Sequence, residues 1–480
     1  MMDEFLKDIH TEIFYYWILN QKNRLYRCFQ DPDNHQIIIL ENEDSQGIIT
    51  FNKYNIIELT VVNKIKHKTE FYLHFQMKNL HHAKHLFEEM VETIKKISTT
   101  PSTKMLLCCS GGLTTGYFAE KINEISRLLD LDIEARATRY LDVYEKGLNY
   151  DYVLLAPQIS YLCANIQKVL KEQKVLKIPP KVFAKYDVLN LIRFISNYNN
   201  KTNIINKDSD RLLIKRNVEL DTMILCLSVY KNSGKVYIDY RIYDKNKKII
   251  YQNEIIKQTI AIEDIYDVLD IVLVNYDKIE KIAISLPGVV DSGKVVSTFV
   301  VNANNIDLAK ELKLKYQKEF IIANDINAAA IGYYGVQDIY DSFCFLFQPI
   351  GLDAGLGTVI NGELIQGNFH LAGEVKFLPL ELSENKAELN KTPEGINELV
   401  YKMIVTISCI IAPEVFVIYS DMVNDVDLIK TKVEQRFNKD VANFTVKIVK
   451  VEHLQEYILA GLMILGARDY NKQKLKSFYC

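Results

Sequence analysis

Lys104-Met-Leu-Leu-Cys-Cys109-Ser-Gly-Gly-Leu-Thr-Thr-Gly116 is the stretch on which the reading of this chain turns. The apolar run ending at Cys109 is a buried strand, and Ser110, Gly111, Gly112, Leu113, Thr114, Thr115 and Gly116 form a tight glycine-rich turn. From Tyr117 to Leu129 the apolar positions Phe118, Ile122, Ile125 and Leu129 fall on one helical face. A strand that passes through such a turn into a helix aims backbone N–H groups, and the positive end of the helix dipole, at whatever stands on the strand's last residue. Here that residue is Cys109, which makes it the candidate catalytic group. In this setting a thiol pKa falls to about 3.5–7.5, and the thiolate can attack phosphorus at neutral pH. A packed structural cysteine before an ordinary strand-to-helix turn fits the same residues, so the flanks must decide.

The flanks carry two further signals. Cys109-Ser110-Gly111-Gly112-Leu113-Thr114-Thr115 is followed about forty residues later by Tyr150-Asp-Tyr-Val-Leu-Leu-Ala-Pro157-Gln-Ile-Ser-Tyr161. Together they resemble the enzyme IIB component, lactose/cellobiose type, of the bacterial sugar phosphotransferase system. The resemblance covers about 102–187. It implies a small doubly wound parallel sheet with the loop at the carboxyl ends of the strands, where such folds bind ligands. It also implies that Cys109, and no other cysteine, accepts a phosphoryl group from a phosphohistidine donor protein. Cys108, its neighbour, should point the opposite way and be packed. Tyrosine phosphatases use a similar loop but need an arginine six residues after the cysteine, and that position is Thr115. Carriage of the phosphoryl group is therefore expected in preference to hydrolysis.

Composition frames the rest. With 480 residues, 48% apolar and 25% charged, the chain has room for about three domains. A net charge of −3 gives no general attraction to nucleic acid. Eight cysteines without paired spacing, and no signal peptide, predict free thiols in a reducing cytoplasm. The most apolar region, Tyr401 to Val423, is broken by Pro413-Glu414 and reads as a buried helix and strand, with no membrane span.

Polar breaks divide the chain into an α+β module at 1–100, the IIB-like domain at 102–187, a linker at 188–218 that includes a short apolar piece, Leu189 to Ile195, and an α/β half at 219–480. The first module predicts a helix over Glu4–Gln21, strands over Gln36–Leu40, Gly47–Phe51, Ile56–Val62 and Glu70–Gln76, and a helix over Leu80–Lys96. Its alternation is that of a sheet, and its 12 Lys/Arg against 14 Asp/Glu give no basic recognition face, so a helix-turn-helix reader of DNA is not expected. His81, His82 and His85 read as one face of an amphipathic helix.

In the last half four motifs occur in order: Lys281-Ile-Ala-Ile-Ser-Leu-Pro287-Gly288 running to Asp291-Ser-Gly293, Phe320-Ile-Ile-Ala-Asn324-Asp325-Ile-Asn327, Gly351-Leu-Asp353-Ala-Gly355-Leu-Gly357, and Ala372-Gly373-Glu374. They resemble the ROK family of sugar kinases and repressors, which implies an actin-like pair of α/β lobes with a sugar cleft. The resemblance makes Asp325 the base toward a sugar hydroxyl and places Asn302, Asn324 and Glu374 at sugar-binding positions. As a residue, Asp325 is equally suited to cap the helix that follows it.

The nucleotide elements depart from the family pattern. Where a first phosphate loop should fall the sequence is Ile224-Leu-Cys-Leu-Ser-Val-Tyr-Lys231. In the second loop Gly351, Gly355 and Gly357 remain, but the usual Gly-Thr-Gly reads Gly351-Leu352-Asp353, so a hydroxyl is lost and the carboxylate of Asp353 gained; where adenosine should meet two glycines stand Tyr419-Ser420. Two like charges about 4 Å apart cost about 4 kcal/mol at an effective dielectric of about 20, so Asp353 disfavours a triphosphate. The family's histidine after Gly-Glu is absent at Val375-Lys376-Phe377, as is its cysteine-rich motif, so no metal and no cofactor are expected; Lys376 is a surface lysine or a contact for a sugar phosphate.

The two resemblances together imply a cytoplasmic sugar-responsive regulator with a phosphorylatable cysteine and a sugar-binding half that has lost ATP-dependent kinase activity. Its partners would be a phosphohistidine donor, a sugar or sugar phosphate and, as in ROK relatives, a second copy forming a homodimer. An active ROK-type sugar kinase, and a phosphocarrier serving a separate membrane component, are the alternatives.

Overall fold

The computed structural model describes residues 2–99, 103–129, 131–199, 212–232 and 234–467. The first hundred residues form helix α1 (Met2–Leu19), strands β1 (Arg27–Gln30), β2 (Ile37–Glu41), β3 (Ser45–Asn52), β4 (Ile56–Asn63) and β5 (Lys68–Gln76), and helix α2 (Leu80–Thr99). β1 is an element the sequence pattern did not reveal. It is short and largely polar, Arg-Cys-Phe-Gln, and exists by pairing along β2.

Next come β6 (Thr103–Cys109), α3 (Leu113–Leu128), β7 (Ile133–Arg139), α4 (Val143–Gly147), β8 (Tyr152–Leu155), α5 (Cys163–Val169), β9 (Lys174–Lys177), α6 (Pro180–Lys185) and α7 (Val188–Asn199). α7 occupies the start of the expected linker, because Val188, Leu191 and Ile195 recur at helical spacing and are buried. Residues 200–211, the centre of that linker, lie outside the described residues.

The remainder comprises β10 (Met223–Asn232), β11 (Lys235–Tyr243), β12 (Ile249–Lys257), α8 (Ile262–Asn275), β13 (Ile279–Leu286), the short strands β14 (Val289–Asp291), β15 (Lys294–Ser297) and β16 (Ile306–Asp307), α9 (Leu308–Tyr316), β17 (Glu319–Asn324) and α10 (Asp325–Val336). It closes with β18 (Phe343–Phe347), β19 (Gly355–Ile360), β20 (Glu363–Ile365), α11 (Lys386–Leu389), α12 (Pro393–Ile410), β21 (Val415–Tyr419), α13 (Val426–Phe437), β22 (Ile448–Lys450) and α14 (Leu454–Leu465). The described residues thus mix helices and strands throughout, with an antiparallel α+β arrangement in β1–β5.

These elements fall into two compact units. One takes in 1–100, 218–325 and 462–480, the other 101–217 and 326–461. In the first, a single sheet runs β1-β2-β3-β4-β5-β12-β11-β10-β13-β17. The first hundred residues are therefore not a separate layer: β5 pairs with β12 through Tyr72 and Ile256, and one core joins Phe14, Phe75 and Met90 to Leu227, Ile238 and Ile284. Residues alternate buried and half-buried along β2, β3 and β4, as in antiparallel strands with one covered face. Ion pairs bind the same seam: Lys257 Nζ lies 2.6 Å from Glu89 and 2.7 Å from Asp264, and Lys78 Nζ lies 2.6 Å from Asp267.

The second unit holds two sheets. β7-β6-β8-β9 is parallel throughout, and β6 is buried from Met105 to Cys109, the signature of a central strand covered on both faces. The other sheet, β20-β19-β18-β21-β22, pairs β18, β21 and β22 in parallel. One apolar core runs through both, from Leu107 and Leu170 to Ile404 and Ile418. Arg216 fastens the last residues before position 218 to this unit: its guanidinium donates to the carbonyls of Tyr334, Gln337 and Tyr340 and stacks 3.8 Å from the Tyr334 ring.

Candidate functional site

Cys109 ends β6, and α3 begins four residues later behind Gly112, whose φ of 84° is a left-handed conformation that glycine adopts at little cost. That turn folds the loop back over the sulfur. The Gly112 N–H donates to Cys109 Sγ at 2.9 Å, and Thr115 Oγ1 lies 3.2 Å from the same sulfur and 3.1 Å from the Gly112 carbonyl. Burial by itself would push the thiol up. Hydrogen bonds from the Thr115 hydroxyl and from the N–H groups of Thr115, Gly112 and Gly111 outweigh it and hold Cys109 below the ordinary thiol range.

Cys109 is only 3% exposed and belongs to the apolar core around β6, with the polar groups of Gly112 and Thr115 on its sulfur. Ser110, Gly111, Leu113 and Thr114 are exposed, Gly116 is half-buried, and only Thr115 turns inward. A Cβ added at Gly111 or Gly116 would meet nothing within 4 Å. Cys108 is fully buried and its thiol is pushed up to about 12, chiefly by that burial. Two adjacent cysteines on one strand thus have opposite chemistry.

β6 pairs in register with β7, and Cys109 is matched with Arg139. The Arg139 stem packs on the loop, its Cγ 3.4 Å from where a Gly112 Cβ would stand. Its guanidinium reaches Asp142 at 3.4 Å, which also meets Lys146 at 3.2 Å and Lys391 at 3.8 Å. Although burial opposes it, Lys146 and Arg139 keep the Asp142 carboxyl below its usual value.

Lys391, which lies just before α12, is one of several contacts at which the IIB-like residues meet the other sheet of this unit. The Glu145 carboxylate carbon lies 3.3 Å from where a Gly351 Cβ would stand, and Lys171 Nζ reaches Asp421 at 2.9 Å and Glu452 at 3.6 Å. Gly351, Asp421 and Glu452 follow the carboxyl ends of β18, β21 and β22, the edge at which open α/β sheets bind ligands.

The expected nucleotide elements have structural duties. Ile224 to Lys231 is continuous strand in β10, with no turn. Asp353 pairs with Lys386 at 2.8 Å. Gly355 and Gly357 lie in β19 and let it approach α10: a Cβ at Gly357 would stand 2.8 Å from the Ile326 carbonyl oxygen. Tyr419 packs on Phe347, and Ser420 is buried.

Of the expected sugar residues, Asn302, Asn324 and Asp325 belong to the first unit and Glu374 to the second. Asn324 Nδ2 donates to the Gly288 carbonyl at 2.6 Å, tying the Pro287-Gly288 turn to the end of β17, and half-buried Asp325 opens α10. Asn302, exposed and left-handed with φ 60°, reaches Glu263 at 3.5 Å. Glu374 pairs with Lys376 at 3.0 Å. It follows Gly373, where a Cβ would stand 1.9 Å from the Leu356 carbonyl oxygen.

Residues 232–396 match the family model described as the ROK family, and residues 104–193 match the PTS system, lactose/cellobiose specific IIB subunit. The chain therefore carries a ROK family domain and a phosphotransferase-system IIB domain together. An N-acetyl-D-glucosamine kinase of Aliivibrio salmonicida is 30% identical over 97 residues, 20% of this chain and 32% of that protein, so the chain spans about a third of the length of this curated relative. Among solved structures, a ROK hexokinase from Thermus thermophilus is 15% identical over 52% of this chain and 99% of its own, with a TM-score of 0.43. A ROK family transcriptional regulator, described as a homologue of the E. coli MLC protein, is 17% identical over 53% of this chain and 80% of its own, with a TM-score of 0.39.

Proposed function

We propose that the chain is a cytoplasmic, sugar-responsive regulator: Cys109 accepts a phosphoryl group from a phosphohistidine donor protein, and the ROK domain binds a sugar or sugar phosphate without using ATP. The observation that carries the reading is the cysteine loop, in which amides and the Thr115 hydroxyl stabilise the Cys109 thiolate. Main-chain donors that hold an anionic sulfur also suit a phosphoryl group placed on it. Loss of ATP use is supported by the unbroken β10, by Tyr419 and Ser420 at the adenosine position, and by IIB-domain residues at Gly351, Asp421 and Glu452. Among the described residues no helix is long and apolar enough to cross a membrane.

The test uses the full chain with the general phosphotransferase proteins and labelled phosphoenolpyruvate. Label on wild type and none on Cys109→Ser is expected, with no ATP turnover over a sugar panel; no label on wild type overturns the reading. One observation favours an active sugar kinase instead: Asp325, to which the ROK resemblance gives the role of base toward a sugar hydroxyl, opens α10 directly after Asn324. ATP turnover that disappears in Asp325→Asn would establish that alternative.

A further inference from the structure

The cysteine loop presents amides and hydroxyls but no cation, since the position six residues after Cys109 is Thr115. A phosphoryl group on sulfur carries close to two negative charges, more than neutral donors alone neutralise well. The adjoining strand offers what the loop lacks. In the parallel register of β6 and β7, Cys109 is matched with Arg139, and matched residues on neighbouring strands, roughly 4.8 Å apart, project to the same side of a sheet. The Arg139 stem already lies against Gly112, whose N–H points at the sulfur, and its side chain is 54% exposed and so has room to swing.

We propose that Arg139 is the positioning residue that receives the phosphoryl group on Cys109, leaving Asp142 to do so. This rests on the reading of Cys109 as a phosphoryl acceptor. In the transfer the Cys109 thiolate attacks phosphorus, the S–P bond forms, the N–P bond of the donor's phosphohistidine breaks, and its electron pair returns to the imidazole. The planar Arg139 fork then meets two phosphoryl oxygens. Withdrawal from Asp142 costs little, because Lys146 at 3.2 Å and Lys391 at 3.8 Å remain on that carboxylate. Asp142 thereby acts as a parking site that keeps Arg139 off the sulfur until a more highly charged partner arrives. Lys391 belongs to the ROK domain, so the parking site is completed by the sugar-binding half of the chain.

The experiment phosphorylates full-length wild type, Arg139→Gln, Arg139→Lys and Asp142→Asn with the phosphohistidine donor and phosphoenolpyruvate, and reads two quantities: the fraction phosphorylated at equilibrium with the donor, and the pH profile of Cys109 alkylation in the unphosphorylated protein. The expected result is about a tenfold lower ratio of phosphorylated to free chain in Arg139→Gln, partial rescue in Arg139→Lys, a raised ratio in Asp142→Asn, and an unshifted alkylation profile in Arg139→Gln. A merely structural arginine would disturb the alkylation profile along with phosphorylation. Arg139→Gln labelled as fully as wild type overturns the proposal and leaves Cys109 as acceptor. Absence of label on wild type overturns both.

Discussion

Replacing Thr115 by valine removes one oxygen from beside the Cys109 sulfur and changes little else, since the side chain is fully buried and valine has the same shape. The hydroxyl has a single proton. Beside a neutral thiol it donates to the Gly112 carbonyl, 3.1 Å away; beside a thiolate it turns to the sulfur, 3.2 Å away, and gives up the carbonyl. A hydrogen bond to a charged group is worth about 1.5–3 kcal/mol and the neutral one surrendered about 1 kcal/mol, which leaves roughly 0.5–2 kcal/mol in favour of the thiolate. Since about 1.4 kcal/mol is a factor of ten in ionisation, Thr115→Val should lower the thiolate fraction about tenfold at any pH below the midpoint.

Alkylation by iodoacetamide across a pH series, followed at the Cys109 peptide by mass spectrometry, measures this directly, with exposed Cys409 as reference in the same sample. Because folding lowers the Cys109 pKa, the associated stability is fully present above the unfolded value and is lost as pH falls through the folded one. Thr115→Val should therefore also reduce stability at alkaline pH more than at neutral pH. An alkylation profile that coincides with wild type would refute the hydroxyl's part in activating the sulfur.

Other outcomes follow from the packing. Gly373→Ala places a methyl 1.9 Å from the Leu356 carbonyl oxygen at φ 98°, so thermal melting should show a loss of more than about 2 kcal/mol. Arg216→Ala leaves the carbonyls of Tyr334, Gln337 and Tyr340 without their guanidinium and removes a stacked cation; a loss of about 2–4 kcal/mol is expected in urea titration. His74 is buried against the Tyr240 hydroxyl at 2.8 Å, and desolvation lowers its pKa to about 4. The unfolded chain then binds more protons, so stability should fall by roughly 3 kcal/mol as pH drops from about 6.5 to 4, and His74→Gln should flatten that limb in urea titrations run as a pH series.

Much of the cysteine site could be read from sequence because it is local: strand, turn and helix follow one another within twenty-six residues, and the loop's hydrogen bonds close within that span. The strands of the first module were legible for a similar reason, their apolar residues alternating along one covered face. Arg139 was not, because its relation to Cys109 is a register between parallel strands thirty residues apart, and nothing in either segment announces it. The fusion of β1–β5 onto β12 was equally hidden, since sheet neighbours across nearly two hundred residues leave no local pattern. Gly355 and Gly357 look like parts of a phosphate loop in sequence, whereas their space is taken by Ile326 and Ala330. A glycine spacing records a close approach of backbone without saying what approaches.

The most direct measurement is phosphopeptide mapping of the intact chain after exposure to a phosphorylated phosphohistidine carrier. The account predicts a single acid-labile phosphoryl group on the peptide that holds Cys109, absent from Cys109→Ser. A chain that emerges unmodified, or one that carries the group on another residue in both proteins, would contradict it.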